Sequence, residues 1–339
     1  DTMVGDTSLR IIVGADFGRP VSGRYHCFTP AGDVVYVFLV FFVVDERVVN
    51  FELSSGGLVW SGNARPIPQV RAGFIDFVDI PFTKGWVQIK GELAYGKFMD
   101  NDFLRDHYNY YNQYITTDAL YHHKSISFRS NPDKPFVVTI GAELAAQFGG
   151  TKRYYKEGVL IDSLTMKSPT RLKDFFKILF PSSGDGQTNE GDQAYYYGNH
   201  VGQWNLSAEY RFKDNSSVRG YFEWYFDDAS GMGKFNGWDG LWGLEYKSGK
   251  KNWLSNVVLE YLDMTNQSGP LNWCPSDYND PKLDIEATGA DDYYNNYFYN
   301  GWAHYGLSNG TAMAKSLLYN TDGYMRYKHN RIRGVHLGA

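Results

Sequence analysis

The densest group of side chains able to do chemistry is His122-His123, followed by Ser125 and Ser127. A serine nucleophile needs a base within hydrogen-bond reach and a third group to orient that base. Neighbouring side chains on an extended strand point to opposite faces, so His122 and His123 cannot both serve one serine. No third group is visible, and the chain reads as a non-enzyme with no cofactor. His107, His122 and His123 also lack the spacing of metal ligands. Asp100, Asp102 and Asp106, or Asp291 and Asp292, could meet a divalent cation. Acidic loop residues are ordinarily just solvated, so no metal is expected.

The aromatic loops carry a stronger chemical signal. Residues 107–114 read HYNYYNQY and set Tyr108, Tyr110, Tyr111 and Tyr114 among amides. Residues 291–302 read DDYYNNYFYNGW and add Tyr293, Tyr294 and Trp302, while residues 237–242 (GWDGLW) offer Trp238 and Trp242. Sugars present apolar C–H faces edged by hydroxyls, so aromatic platforms rimmed with Asn, Asp and Gln suit a polysaccharide. Two plainer readings compete: an aromatic belt at a membrane interface, or tyrosines packed as a lid.

A third set is charged. Asn63, Arg65 and Arg71 lie in SGNARPIPQVR, and Glu92, Glu143, Glu209 and Glu223 sit on the polar faces of alternating segments. Buried charges persist when paired, so these residues are expected to form a polar network inside the fold. A pore selective for anions would want its arginines unpaired.

The elements that must position these groups are strands. Residues 87–95, 138–148, 204–213 and 218–227 alternate apolar and polar side chains. Each is close to the roughly 9–11 residues of a tilted strand that crosses a bilayer. Five polar turns separate such runs: residues 81–85, 131–135, 214–217, 248–252 and 328–331. Between them lie long connections at 100–119, 149–203, 227–240 and 265–322. Short turns at one end and long loops at the other are the pattern of an antiparallel transmembrane β-barrel of the outer-membrane type. The five hairpins give about ten strands, with three or four more before Pro81. The sequence ends within an apparent strand at 336–339, so a closed barrel would need further strands. Residues 34–44 (VVYVFLVFFVV) are apolar without alternation and read as a strand covered on both faces. Residues 171–180 (RLKDFFKILF) have helical spacing and end at Pro181. They are expected to form a short amphipathic helix against the barrel mouth or at the membrane interface.

Composition bounds the alternatives. Aromatics are 17% of the 339 residues, heavy for an ordinary soluble domain and suited to interfacial girdles or sugar-facing surfaces. The net charge of −5 gives no basic face for nucleic acid. Cys27 and Cys274 fit no metal motif, and a disulfide between them is not required. No run approaches the ~20 apolar residues of a membrane-spanning helix. The mean hydropathy of −0.44 is no objection to a barrel, whose alternate residues face its interior. A single domain over 1–339 is expected.

The chain from Glu52 to about Ala339 resembles the capsule assembly Wzi family in its Bacteroidetes-type form. The resemblance rests on ELSSGGLVWSGNARPIPQVRAG (52–73), FVDIPFTKGWVQIKGELAYGKF (77–98) and LYHHKSISFRSNPDKP (120–135). It continues through AAQFGG (145–150), GNHVGQWNLSAEY (198–210), GKFNGWDGLWGLEYKS (233–248) and YYNNYFYNGWAHYGLSNG (293–310). Residues 1–50 fit poorly. What it implies is an outer-membrane β-barrel of about eighteen strands that helps hold capsular polysaccharide at the bacterial surface. Its partners would be outer-membrane lipid, lipopolysaccharide, surface polysaccharide and other outer-membrane proteins. A porin-like transport barrel, or a structural subunit of a larger outer-membrane complex, is the alternative function.

Overall fold

A computed structural model describes residues 26–28 and 34–40 by their backbone, and residues 50, 52–107, 112–194, 196–227, 229–233, 236–250, 253–267 and 291–339. Its strands are β1 (His26–Phe28), β2 (Val34–Val40), β3 (Gln69–Asp79), β4 (Val87–Lys97), β5 (Gln113–Ser130) and β6 (Phe136–Lys156). Then come β7 (Val159–Leu160), β8 (Met166–Lys167), β9 (Asn199–Arg211), β10 (Ser217–Asp227), β11 (Gly240–Lys247) and β12 (Asn256–Asp263). The last three are β13 (Ala303–His304), β14 (Leu307–Ser308) and β15 (Arg333–Gly338). Three short helices interrupt them: α1 (Asn101–His107), α2 (Leu172–Leu179) and α3 (Glu190–Ala194).

The fold is all-β and antiparallel. Spatial order follows chain order, β1-β2-β3-β4-β5-β6-β9-β10-β11-β12-β15, with β7 and β8 paired onto the far end of β6. The polar turns at 81–85, 131–135 and 214–217 close hairpins of this meander, and residues 248–250 of the turn expected at 248–252 lead from β11 towards β12, with residues 251 and 252 outside the described residues. The turn expected at 328–331 closes no hairpin. No strand precedes it: residues 309–332 lack extended pairing, and the polar run belongs to the irregular segment that leads into β15. Within the apolar run 34–44, residues 34–40 form β2 between β1 and β3, and residues 41–44 lie outside the described residues.

Strands β5 and β6 run well past the alternating stretches, to 18 and 21 residues. Gly149 and Gly150 mark the division. Both have positive φ (+65° and +74°), and a Cβ at Gly150 would stand 2.6 Å from the Thr117 carbonyl oxygen. Opposite Gly150, Asp118 also has positive φ (+57°), so the ladder skips this one pair while the register stays the same on either side, at Thr117–Thr151 and Ala119–Gly149. Beyond it β6 continues as an extension that carries β7 and β8.

Strand alternation gives the sheet two unlike faces. One row runs Phe128–Ile140–Leu206–Phe222–Trp242–Tyr261–Val335 across seven adjacent strands. This face leaves Ile126, Phe128, Phe136, Ile140, Tyr210, Leu244, Leu259, Tyr261, Val335 and Leu337 exposed. The opposite face is polar and covered by the chain itself. Residues 52–67 run across it, touching β15 (Leu53 carbonyl with His336), β12 (Ser54 with Glu260), β10 (Leu58 with Glu223), β9 (Val59 with Gln203) and β5 (Trp60 with Tyr121). Residues 291–332 pack beside them at the long-loop end.

Helix α2 matches the expected amphipathic helix and lies on the apolar face. Phe175 meets Tyr95 and Phe148 edge-on at ring separations of 5.2 and 5.3 Å, and Ile178 is fully buried. Tyr95 donates its hydroxyl to the Phe175 carbonyl at 3.1 Å. Lys124 donates to the Ile178 carbonyl at 3.1 Å and also to that of Leu179, placing a cation at the helix C-terminus.

Candidate functional site

The polar face carries a chain of charged and amide groups running from strand to strand. Arg71 on β3 donates to Glu92 on β4. His123 on β5 bridges Glu92 and Glu143: its Nδ1 lies 3.1 Å from Glu92 Oε1 and its Nε2 lies 3.0 Å from Glu143 Oε1 on β6. Carboxylates on both nitrogens suit an imidazolium, which donates from both. Two cations and two anions therefore balance in a buried row. Gln203 on β9 donates to Glu143 (3.4 Å) and to Asn205 (2.8 Å), and its Oε1 accepts the Val59 N–H (2.9 Å). Glu223 on β10 accepts the Leu58 N–H at 2.8 Å.

Two further carboxylates hold the start of the crossing segment. Glu260 on β12 accepts from Tyr221, from the Ser54 hydroxyl (2.6 Å) and from the Ser55 N–H (2.7 Å). Glu245 on β11 accepts from Asn50 (2.7 Å) and pairs with Arg219 (2.5 Å). His336 on β15 donates to the Leu53 carbonyl at 2.7 Å. The crossing segment has no sheet of its own, so sheet carboxylates satisfy N–H groups that burial would otherwise orphan. Between this row and the short turns lies a cavity of about 240 Å³ lined by Trp60, Arg129, Glu143, Glu209, Arg211 and Glu223.

The interior residues read from the sequence do not all join this row. Arg71, Glu92, Glu143 and Glu223 do. Glu209 is half-buried, pairs with Arg211 at 3.1 Å and lines the cavity. Asn63 instead bonds the Ser308 carbonyl (3.3 Å) and Ser316 hydroxyl (3.5 Å), in the packed loops. Arg65 is exposed, with its guanidinium 4.4 Å from the centre of the Tyr305 ring. A long flexible cation finds that half-buried ring at less cost than a desolvated interior site. The members that sequence reading missed are His123, Gln203, Glu245, Glu260 and His336. Strand parity would have found them, since each shares a face with a predicted neighbour.

Six of the nine aromatic candidates are described, and three of these are corrected by burial. Tyr293, Tyr294 and Trp302 are fully buried and cannot touch a polysaccharide. Tyr293 donates to Asp239 (3.1 Å), Tyr294 to the Leu58 carbonyl (2.7 Å) and Trp302 to the Val59 carbonyl (2.9 Å). Tyr294 and Trp302 fasten loop 291–332 onto the crossing segment and Tyr293 fastens it onto residues 236–239, the packing that the lid reading expects. Trp242 is half-exposed on the apolar face, stacked on Phe222 at 3.9 Å, and Trp238 beside it is 73% exposed. Tyr114 is half-buried and joins Tyr154, Tyr297 and Phe298 at ring separations of 5.0, 5.5 and 5.2 Å. Tyr297, 70% exposed, gives this cluster an accessible face. Tyr108, Tyr110 and Tyr111 lie outside the described residues.

His122 and His123 point to opposite faces, as alternation requires: His122 bonds the Ala94 carbonyl (3.0 Å) and meets the Tyr95 ring at a tilt (4.6 Å). Among the described residues, no three His, Cys, Asp or Glu side chains gather into a metal-binding group. The acidic pair of the loop divides its roles. Burial pushes the Asp292 carboxyl up, but hydrogen bonds from Arg326, Asn295 and Asn330 outweigh it and leave Asp292 below its ordinary range. Asp291 has burial without such relief and is pushed up to about 6.

A carboxyl whose folded pKa is raised takes up protons on folding. Its charge therefore costs stability as pH rises from its ordinary value of 3.8 through about 6. Asp291→Asn is expected to leave the stability of loop 291–332 unchanged near pH 4 and to raise it above pH 7. Limited proteolysis at Lys315, Arg326 and Lys328 across that pH range measures it; equal protection of both proteins at pH 8 contradicts the assignment.

No family model matches the chain, and no curated protein or solved structure matches it either.

Proposed function

We propose that this chain is an outer-membrane β-barrel of the capsule assembly Wzi type, which holds surface polysaccharide at its long-loop end and does not pass solute through its interior. The observation that carries the reading is the contrast between the two faces. A row of exposed and half-exposed Phe, Ile, Leu, Trp, Tyr and Val side chains spans seven adjacent strands, as a lipid-facing wall requires. The other face is polar, charge-balanced and filled by residues 52–67 and 291–332, as a plugged interior requires. Meander order and antiparallel pairing throughout fit a barrel wall. Trp242 and Trp238, at the long-loop end of the apolar face, suit an interfacial belt contacting outer-membrane lipid and lipopolysaccharide.

The polysaccharide contact then falls to the aromatic cluster at the long-loop end, where Tyr297 is exposed and Tyr114 is half-buried beside it. The experiment is glycan binding by the detergent-purified protein, using capsular polysaccharide from its own host. The double variant Tyr114→Ala, Tyr297→Ala is expected to bind at least about tenfold more weakly, a loss of about 1.4 kcal/mol, while the sheet stays folded. Absence of binding by the parent protein overturns the anchoring role. Steady ion conductance of the parent in a planar bilayer would favour the transport alternative.

A further inference from the structure

Helix α2 has a feature that its packing does not explain. It already buries one side, Asp174, Phe175 and Ile178, against the sheet. A helix so placed on a water-exposed wall would show a polar outer side. Instead Leu172, Phe176 and Phe180 follow one another at intervals of four and are 76%, 54% and 70% exposed. Both ends of the helix are tied down. At the start, the Asp174 carboxylate accepts from the Arg171 N–H at 2.8 Å; at the end, Lys124 holds the last carbonyls. The apolar stripe is thus presented rigidly.

Its position is equally telling. Lys124 lies two residues along β5 from Ile126, where the exposed apolar band begins, a rise of about 7 Å. The helix therefore sits just beyond the end of that band on the same face of the sheet. Beside the stripe Arg171, Lys173 and Lys177 converge on Asp185, at 2.7, 3.0 and 4.0 Å, so three cations share a carboxylate that only Asp174 supplements. Local positive charge flanking an apolar stripe complements a surface of lipid phosphates.

We infer that α2 is an interfacial helix, seating Leu172, Phe176 and Phe180 among the lipids at the head-group boundary while Lys173 and Lys177 meet lipid phosphate. This inference rests on the membrane-barrel reading. The helix acts as a collar on the wall, fixing the depth at which the protein rides in the bilayer.

The test labels single cysteines with an environment-sensitive fluorophore, after Cys27→Ser and Cys274→Ser. One label site is Phe176→Cys on α2 and the other Ile140→Cys on the apolar band. The protein is reconstituted into phosphatidylcholine vesicles containing phosphatidylglycerol, with nitroxide quenchers near the head group or at mid-chain. The expected result is strong quenching at 176 by the head-group nitroxide and at 140 by the mid-chain one. Adding Lys173→Glu and Lys177→Glu is expected to reduce the quenching at 176 at least about twofold, since each basic group near an anionic surface contributes ~1 kcal/mol. Quenching at 140 but not at 176 overturns the inference and leaves the barrel standing. No quenching at either site overturns both. Unchanged quenching at 176 in the glutamate variant overturns the phosphate contact.

Discussion

Replacing His123 with leucine is expected to lower the stability of the folded chain by about 3–5 kcal/mol, the cost of breaking a buried ion pair by removing one partner. The imidazole lies between Glu92 and Glu143 at 3.1 and 3.0 Å, its side chain only 4% exposed. Without it, the Arg71 guanidinium is left to balance two carboxylates. Leucine restores volume but not charge, so packing loss contributes little and the unpaired carboxylate dominates. The check is the double variant His123→Leu, Glu143→Leu. Charge is balanced again between Arg71 and Glu92, and Gln203 keeps its bond to Asn205, so this protein should recover most of the loss. Urea or thermal unfolding in detergent reads both. A double variant no more stable than the single one would show that the row is not organised by charge.

The second large effect is expected at Trp302. Truncation to alanine should cost about 3–5 kcal/mol, the range for a buried aromatic whose cavity collapses incompletely. The indole is fully buried, meets Trp60 edge-on at 5.8 Å, and donates to the Val59 carbonyl. It joins loop 291–332 to the crossing segment, so the loss should be local as well as global. Proteolysis between residues 315 and 328 should accelerate before the sheet unfolds. On the barrel reading the interior would then leak, and Trp302→Ala should conduct ions in a planar bilayer where the parent does not. Trp238→Ala, which removes an indole 73% exposed, is the control and should change neither property.

Much of the sheet is legible in the sequence because its signals are local. Alternation over residues 204–213 and 218–227, with a polar turn between, dictates the β9–β10 hairpin whatever else the chain does. The same parity separates His122 from His123. The limits are equally physical. Residues 328–331 resemble a hairpin turn, but a turn makes a hairpin only if the preceding run finds a strand to pair with, and here it finds loops. The far halves of β5 and β6 escape because Gly149 and Gly150 interrupt the period. Tyrosine is the hardest residue to place from sequence. Tyr294 and Tyr297 are three positions apart in one motif, yet one is sealed against the Leu58 carbonyl and the other faces outward. A phenol is at home in either setting, and only the partner for its hydroxyl decides.

The crossing segment also constrains the order in which the molecule can be made. Asn50, just ahead of it, bonds Glu245, and the segment itself bonds Glu260 and His336, joining residues separated by 195, 206 and 283 positions. Contacts so distant along the chain form only after β11, β12 and β15 have been delivered. Until then residues 52–67 have few partners, and the carboxylates of β10 to β12 remain hydrated. Strand β15 pairs with β12 while His336 catches the Leu53 carbonyl. Docking of the segment and addition of β15 thus become a single event that follows formation of β12. Until β15 is delivered, residues 52–67 would remain soft and protease-sensitive, and they would harden as it docks.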